Sequence, residues 1–286
     1  MELYRLRLGK RVIGALYEFG IMSRQSLEEH LELESRHAGL SKTLKRLVCS
    51  NLINRKSYSS KRDKCYYHLS FKKGNLEKFC KILDKSDLSK ISNYHHAINL
   101  EHDDLVSKAH ASFVKLPLDI KIFNDRQFPK TSYYNTIFSS SFTGYNLIPD
   151  LSLIIHDDKK ASAKRLNIAI EVECHLKNKK RIREKLIHYT LKSRIDGVLY
   201  FLDSNTWKKV FDENINDNIL DRAFRLGSYK NFFLSFSDIK RSQFDPAEVL
   251  LSTGKDKQRF LDWITLLWSK KYGQSLEKQS AEGSAL

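Results

Sequence analysis

Three acidic residues carry the strongest chemical signal in this sequence. Asp150 follows Pro149 at the head of the apolar run LSLII, and Glu171 and Glu173 come 21 and 23 residues later inside IAIEVEC. On a β-strand, residues two apart share a face. Glu171 and Glu173 therefore point the same way, while Ile168, Ile170 and Val172 line the apolar side. If the two strands pair as a hairpin, three carboxylates meet at one end of a sheet. Such a group repels itself unless a cation offsets the charge, and hard oxygen donors suit Mg²⁺ or Mn²⁺. A metal there can orient and activate a water and stabilise charge developing on a phosphodiester. The following stretch is basic (Lys177, Lys179, Lys180, Arg181, Arg183, Lys185), which lets an anionic substrate approach bare acids. The competing reading is structural: alternating glutamates can be a solvated strand face, and Asp after Pro can start a turn. His175 and Tyr189 stand close enough in sequence to move a proton or act as nucleophile, or simply to pack or touch phosphate. Glu101, His102, Asp103 and Asp104 could add an acid, although a helix's first turn attracts acids through its dipole anyway.

The elements around these residues alternate. Short β-rich runs (LDIKIF, LIPDLSLII, LNIAIEVEC, GVLYFL, FFLSF) are separated by a long basic helical stretch, LKNKKRIREKLIHYTLKSRI, and an amphipathic one, WKKVFDENINDNILDRAF. A strand pair followed by strand–helix–strand alternation predicts a mixed sheet flanked by helices. Upstream, LEHDDLVSKAHASFVKL reads as an amphipathic helix over 100–116, and FLDWITLLW as a last apolar helix before a frayed tail, EKQSAEGSAL. The expected organisation is a domain at 1–75, a polar helical connector at 76–100, an α/β domain at 101–245, and a terminal helix and tail at 246–286.

The first 75 residues read as three helices and a hairpin. GKRVIGALYEFG carries Val12, Ile13, Leu16, Tyr17 and Phe19 at helical spacing and closes on Gly20. Ser23 is the expected N-cap of the second helix, although the Ser26/Glu29 spacing leaves its first residue open. In the third, Leu40, Leu44, Leu47 and Val48 share one face. Arg36, His37, Ser41, Lys42, Lys45 and Arg46 crowd the other, and no acid interrupts the stretch from Ser35 to Ser50. A basic turn (Lys61, Arg62, Lys64) joins two alternating strands. This is the order of a winged helix-turn-helix. Its third helix would enter the major groove, with Arg reading guanine and the lysines holding phosphates. A solvated helix face, or a winged domain that binds protein, is the alternative.

Composition agrees in direction. Fifty Lys and Arg against 34 Asp and Glu give a formal charge of +16, which favours polyanionic partners through counterion release. The four cysteines form no CxxC pair, arguing against a zinc ribbon or a disulfide framework and for a reducing cytoplasm. No signal peptide and no membrane span are expected. No Walker loop, GxGxxG, HExxH or GxSxG is present, so nucleotide-driven, zinc-protease and serine-hydrolase chemistry find no support.

Pro149-Asp150, an apolar strand, Glu171-Val172-Glu173 and a basic helix together resemble the PD-(D/E)xK nuclease superfamily, whose core is a mixed sheet flanked by helices. The usual pattern ends in lysine, and here Glu173 stands in that place. Some members carry a second glutamate there and others supply the lysine from the next helix, for which Lys185 and then Lys177 are the candidates. The wider arrangement is similar to the replication-relaxation proteins and MobC-type conjugative relaxases, over most of residues 9–200: the amino-terminal segment at 9–70, EHDDLV at 101–106, PDLSLII, and IAIEVECHLKNKKRIREKLIHY. In that group a lysine and a tyrosine follow the acidic strand, which would map onto Lys185 and Tyr189.

The resemblance implies an N-terminal winged helix-turn-helix followed by an α+β or α/β nuclease-like domain. The expected activity is Mg²⁺- or Mn²⁺-dependent nicking of plasmid or mobile-element DNA at a transfer or replication origin. Asp150, Glu171 and Glu173 would bind metal, with Lys185 and Tyr189 completing the catalytic set. Arg36, His37, Ser41, Lys42, Lys45, Arg46, Lys61, Arg62, Lys64, Lys177, Lys180 and Arg181 would bind DNA. Partners would be double-stranded and single-stranded DNA with accessory mobilization or replication proteins. The alternatives are a non-catalytic replication or transcription regulator, and a restriction- or transposon-type endonuclease that breaks both strands.

Overall fold

The computed structural model describes residues 2–57, 65–72, 74–84, 100–125, 127–137, 148–156, 164–173, 180, 184–185, 189, 194–202, 233–238, 250–253 and 256–273. The chain is a mixed α+β protein that divides into two compact units, Met1–Ala111 and Ser112–Leu286. Among the described residues no helix is long and apolar enough to cross a membrane.

The first unit runs α1 (Glu2–Phe19), β1 (Ile21–Ser23), α2 (Arg24–His30), α3 (Ala38–Cys49), β2 (Ile53–Ser57), β3 (Cys65–Leu69), α4 (Asn75–Leu83) and α5 (Leu100–Phe113), the last residues of α5 lying beyond the division. The apolar stripe of α1 (Leu8, Val12, Ile13, Leu16, Phe19) packs with Leu27, Leu40, Leu44, Leu47, Ile53, Leu69 and Phe79 in one core. Truncating a buried leucine in such a core costs about 2–5 kcal/mol. Strand β3 pairs antiparallel with both β2 and β1, giving the order β1-β3-β2. The three-residue β1 has too little length for a periodic signal and was not expected from the sequence. Ser23 does cap α2, its hydroxyl accepting from the Ser26 amide at 3.1 Å.

The expected connector differs too. Its described part, α4, buries Phe79 completely and packs Cys80, Ile82 and Leu83 against the same core. One apolar stripe on a nine-residue helix was outweighed, in the sequence, by its polar surroundings. Helix α5 mostly belongs to this unit as well, so the division falls after residue 111 rather than after 100.

The second unit is built on a seven-stranded sheet of order β10-β9-β8-β7-β6-β5-β4. Its strands are β4 (Ile120–Asn124), β5 (Leu151–His156), β6 (Arg165–Glu173), β7 (Gly197–Leu202), β8 (Phe233–Asp238), β9 (Leu250–Thr253) and β10 (Asp256–Arg259). Strands β4, β5 and β6 pair antiparallel, β6, β7 and β8 parallel, and β8, β9 and β10 antiparallel, so the sheet is mixed as expected. Every residue of β6 after Arg165 is buried, the pattern of a central strand covered on both faces.

Helix α7 (Phe260–Tyr272) lies against the apolar face: a Cβ added to Gly197 would meet the Trp263 ring at 2.9 Å, and the Phe260 ring packs tilted on Phe113 with centroids 5.2 Å apart. Strands β9 and β10 and helix α7 thus complete the sheet domain instead of forming a separate terminal segment. Lys271 fastens the helix by donating to Asp196 at 2.8 Å and to the Arg165 carbonyl at 2.9 Å. On the opposite face lies α6 (Ser132–Ile137), preceded by a 3-10 turn at Phe128–Lys130.

Candidate active site

The pairing of β5 with β6 decides where the acids meet. Leu151 stands opposite Ile170, so one step further sets Asp150 beside Glu171, on the face that β6 shares with Glu173. The contact is direct: the Val172 amide donates to Asp150 Oδ2 at 2.7 Å. Parallel pairing with β7 places Tyr200 level with Glu171. Glu171 is 0% and Glu173 2% exposed. The solvated-face reading of these glutamates is thereby excluded.

Burying a carboxylate without partners is prohibitive, and the helical residues after β6 supply them. The Lys185 ammonium donates to Glu171 Oε2 and the Tyr189 hydroxyl to Oε1. Lys185 also lies 3.9 Å from Glu173 Oε1. A spacing of four residues sets Lys185 and Tyr189 on one side of a helix, so both reach the same carboxylate.

Burial pushes Glu171 up to about 8, with the Asp150 charge adding to it and Lys185 and Tyr189 acting in the opposite sense. For Lys185, burial favours the neutral amine, but Glu171, Asp150 and Glu173 outweigh it and hold the ammonium above its usual value. Burial and the neighbouring Glu171 raise Tyr189 well above an ordinary phenol. Tyr200 moves the same way through burial and the two glutamates.

The chemistry of this arrangement is that of a proton-sharing cluster around one buried carboxylate, with a lysine as resident counterion. Asp150, Glu171 and Glu173 supply only hard oxygen donors, the set that Mg²⁺ or Mn²⁺ takes. Among the described residues no group of three or more His, Cys, Asp or Glu side chains is already gathered to hold a metal ion. Lys185 lies against Glu171 and Glu173, so the carboxylates expected together at this end of the sheet share a resident cation.

Tyr189 is only 1% exposed, which orients Glu171 and does not suit an attacking nucleophile. Tyr200 was not foreseen, since only the β6–β7 register reveals it. His175, Lys177 and Arg181 lie outside the described residues, while Lys180 is helical and exposed. Compared with protein-family models, curated proteins and solved structures, the chain has no match.

The upstream acids take another role. Asp104 is 1% exposed within the first unit; its Oδ1 accepts from the Ser23 amide at 2.7 Å and from the Ser26 hydroxyl. It locks the start of α2 to α5. His102 and Asp103 approach each other at 3.2 Å on the same helix.

On α3, Leu40, Leu44 and Leu47 are buried while Ser41, Lys42, Lys45 and Arg46 are exposed, so the basic face stands free of the core. His37 departs from expectation: it is the N-cap of α3, its Nδ1 accepting from the Leu40 amide at 3.1 Å, which removes that nitrogen from base reading. Arg36 precedes the helix, exposed, with a φ of 60°. Lys61, Arg62 and Lys64 lie outside the described residues.

Proposed function

We propose that the chain is a Mg²⁺- or Mn²⁺-dependent DNA endonuclease of the relaxase-like nicking type, acting on plasmid or mobile-element DNA at a transfer or replication origin. One observation carries this reading: the buried Glu171 carboxylate beside Asp150 and Glu173, contacted by both Lys185 and Tyr189. A sheet strand that only needed packing would bury leucine there. A lysine and a tyrosine from the next helix on that one glutamate also match the resemblance drawn from the sequence, with Lys185 as the lysine that position 173 lacks.

The amino-terminal unit supports the reading independently. Its order α1-β1-α2-α3-β2-β3, with the sheet β1-β3-β2 and an acid-free exposed face on α3, suits a winged helix-turn-helix that lays α3 in the major groove.

In the proposed reaction Asp150, Glu171 and Glu173 would hold the metal, which supplies an activated water and charge stabilisation at the phosphodiester. Lys185 would release Glu171 and turn its ammonium toward the scissile phosphate. Tyr189 holds Glu171 in its rotamer through Oε1 and remains buried, which favours hydrolysis over a covalent tyrosyl adduct. Lys180 on the exposed helix surface would steady the backbone nearby.

The test is cleavage of supercoiled plasmid with Mg²⁺ or Mn²⁺. Open-circular product is expected, and Glu171→Ala should abolish it while leaving DNA binding intact. Unchanged nicking by that variant ends the proposal; linear product points to a double-strand-cutting enzyme instead. One observation favours a second reading, a non-catalytic replication or transcription regulator. Lys185 and Tyr189 already satisfy both oxygens of Glu171, as they would in a retired site kept for stability. Specific duplex binding without cleavage under any divalent metal would select it.

A further inference from the structure

The face of the sheet that carries Glu171 bears a second constellation at its other end. Arg165 opens β6 opposite His156 of β5, and the His156 amide donates to the Asp119 carbonyl just before β4. On this side α6 presents Tyr133, and two cations approach its ring. The Arg165 guanidinium lies 5.2 Å and the Lys121 ammonium 5.7 Å from the centroid. Lys121 also donates to the Tyr133 hydroxyl at 3.2 Å, and Arg165 to Thr136 Oγ1 at 2.9 Å. Lys164, next in sequence, sits 5.4 Å over the Tyr272 ring.

Holding two like charges on one ring is unfavourable unless an anion offsets them, and among the described residues no carboxylate is bonded to either Lys121 or Arg165. Asp196, an acid within electrostatic range of Arg165, is bonded to Lys271. Lys121 is exposed and the Arg165 side chain half-buried, so donors of both remain open to a ligand. Tyr133 acts as a rigid spacer that fixes two cations side by side through cation–π attraction to its ring.

We infer that Lys121 and Arg165, bracketing Tyr133, form a clamp for the phosphodiester backbone of DNA, separate from the carboxylate site. The inference rests on the DNA-acting reading above and adds to it a contact surface on the sheet domain. Arg165 and Glu171 are six residues apart on one strand, about 20 Å. That span is about six phosphates along one strand of B-form DNA.

The test uses the full chain in EDTA, so that no cleavage intervenes, with a fluorescent duplex and a salt series. Each phosphate contact contributes about 0.9 to the slope of log affinity against log salt. Lys121→Gln with Arg165→Gln should lower the slope by about 1.8. Between 50 and 200 mM salt the wild type would then lose about 12-fold more affinity than the variant. Lys121→Gln alone, at an exposed position, should remove half the slope change without altering the melting temperature, which guards against a folding artefact. Tyr133→Leu, which frees the two cations from their common ring, should weaken binding at low salt. An unchanged slope in both glutamine variants, with wild-type binding intact, overturns the clamp and leaves the nuclease proposal standing. A wild type that binds no duplex overturns both.

Discussion

The pairing of Glu171 with Lys185 makes a sharp energetic prediction because both groups are buried and charged only within a definable pH window. Glu171 is held at about 8 by burial, and Lys185 lies above its ordinary 10.5 through the carboxylates around it. At pH 9, then, both carry charge, whereas at pH 6 Glu171 holds a proton. Breaking a buried pair from one side costs about 3–5 kcal/mol. The lower end applies here, because the Lys185 side chain is 17% exposed and Glu173 stands 3.9 Å away as a partial substitute. Lys185→Met should therefore destabilise by about 3 kcal/mol at pH 9, whereas Glu171→Gln, which removes a carboxylate that burial penalises in its charged form, should cost clearly less. The double variant, which removes both charges, should fall short of their sum by about 2 kcal/mol. At pH 6 that coupling should drop by more than half.

Urea unfolding followed by tryptophan fluorescence reads the correct part of the molecule, since all three tryptophans, Trp207, Trp263 and Trp268, belong to the second unit. Coupling below about 0.5 kcal/mol at pH 9, or equal coupling at the two pH values, would refute the view that Lys185 is the counterion of Glu171.

Linkage gives a related outcome. Because the folded-state pKa of Glu171 exceeds the ordinary 4.5, the native protein binds the extra proton. Its contribution is full below that value and is lost as pH rises through about 8; stability should decline over this window by up to about 1.4 kcal/mol per pH unit relative to Glu171→Gln, measured by urea titration at successive pH values. Asp104→Ala strands the buried Ser23 amide and takes one of two partners from the Ser26 hydroxyl, and should destabilise the first unit by about 1–3 kcal/mol. Its readout is circular dichroism of the helical signal on heating, and a shift under 1 °C would contradict the lock between α2 and α5. On α3, Lys42→Ala and Lys45→Ala should each lower the salt slope of duplex binding by about 0.9; sequence-selective losses would assign base contacts to them instead. Tyr189→Phe should slow nicking without abolishing it and leave no protease-sensitive protein–DNA adduct in the wild type to lose. An adduct that vanishes with this variant would make Tyr189 the nucleophile.

Much of the architecture was legible because the patterns were long or chemically marked. Twelve residues of α3 with leucines on one side and cations on the other leave only one way to face a core, and the alternation of IAIEVEC marked a strand, although its burial on the glutamate side needed the structure. The Asp150–Glu171 meeting followed from hairpin pairing, which a two-residue offset would have spoiled, and the register is in phase. What could not be read lies in short elements and in competition between partners. Strand β1 is three residues, and the β9–β10 hairpin sits in four-residue runs interrupted by Gly254. Asp104 looked like an acid at a helix start, and nothing local in the sequence says that Ser23 and Ser26, some 80 positions earlier, would claim it. His37 similarly looked like part of a polar face until the cap geometry gave its Nδ1 to Leu40.

If the proposed function holds, the position of Lys185 reconciles the glutamate at 173 with an acidic site that must also be stable without metal. Three carboxylates on one buried sheet end would, by themselves, drive each other's protonation or unfold the strand. An ammonium on the adjoining helix offsets them while remaining 17% exposed, able to swing toward solvent when a stronger cation arrives. A lysine fixed on the strand at 173 would point from the same backbone as Glu171 and could not withdraw without disturbing β6. On the proposed function, moving it to a helix would separate two tasks that a strand position would couple, offsetting the carboxylates when no metal is bound and attending the phosphate when one is. On this view Glu173 is not a defect in the pattern. It is the extra carboxylate that becomes tolerable once the cation is supplied from elsewhere, and Glu173→Lys should therefore place two ammonium groups around Glu171 and weaken metal binding rather than restore a more active enzyme. Isothermal titration with Mn²⁺ measures this directly, and tighter binding by the variant would overturn the division of labour.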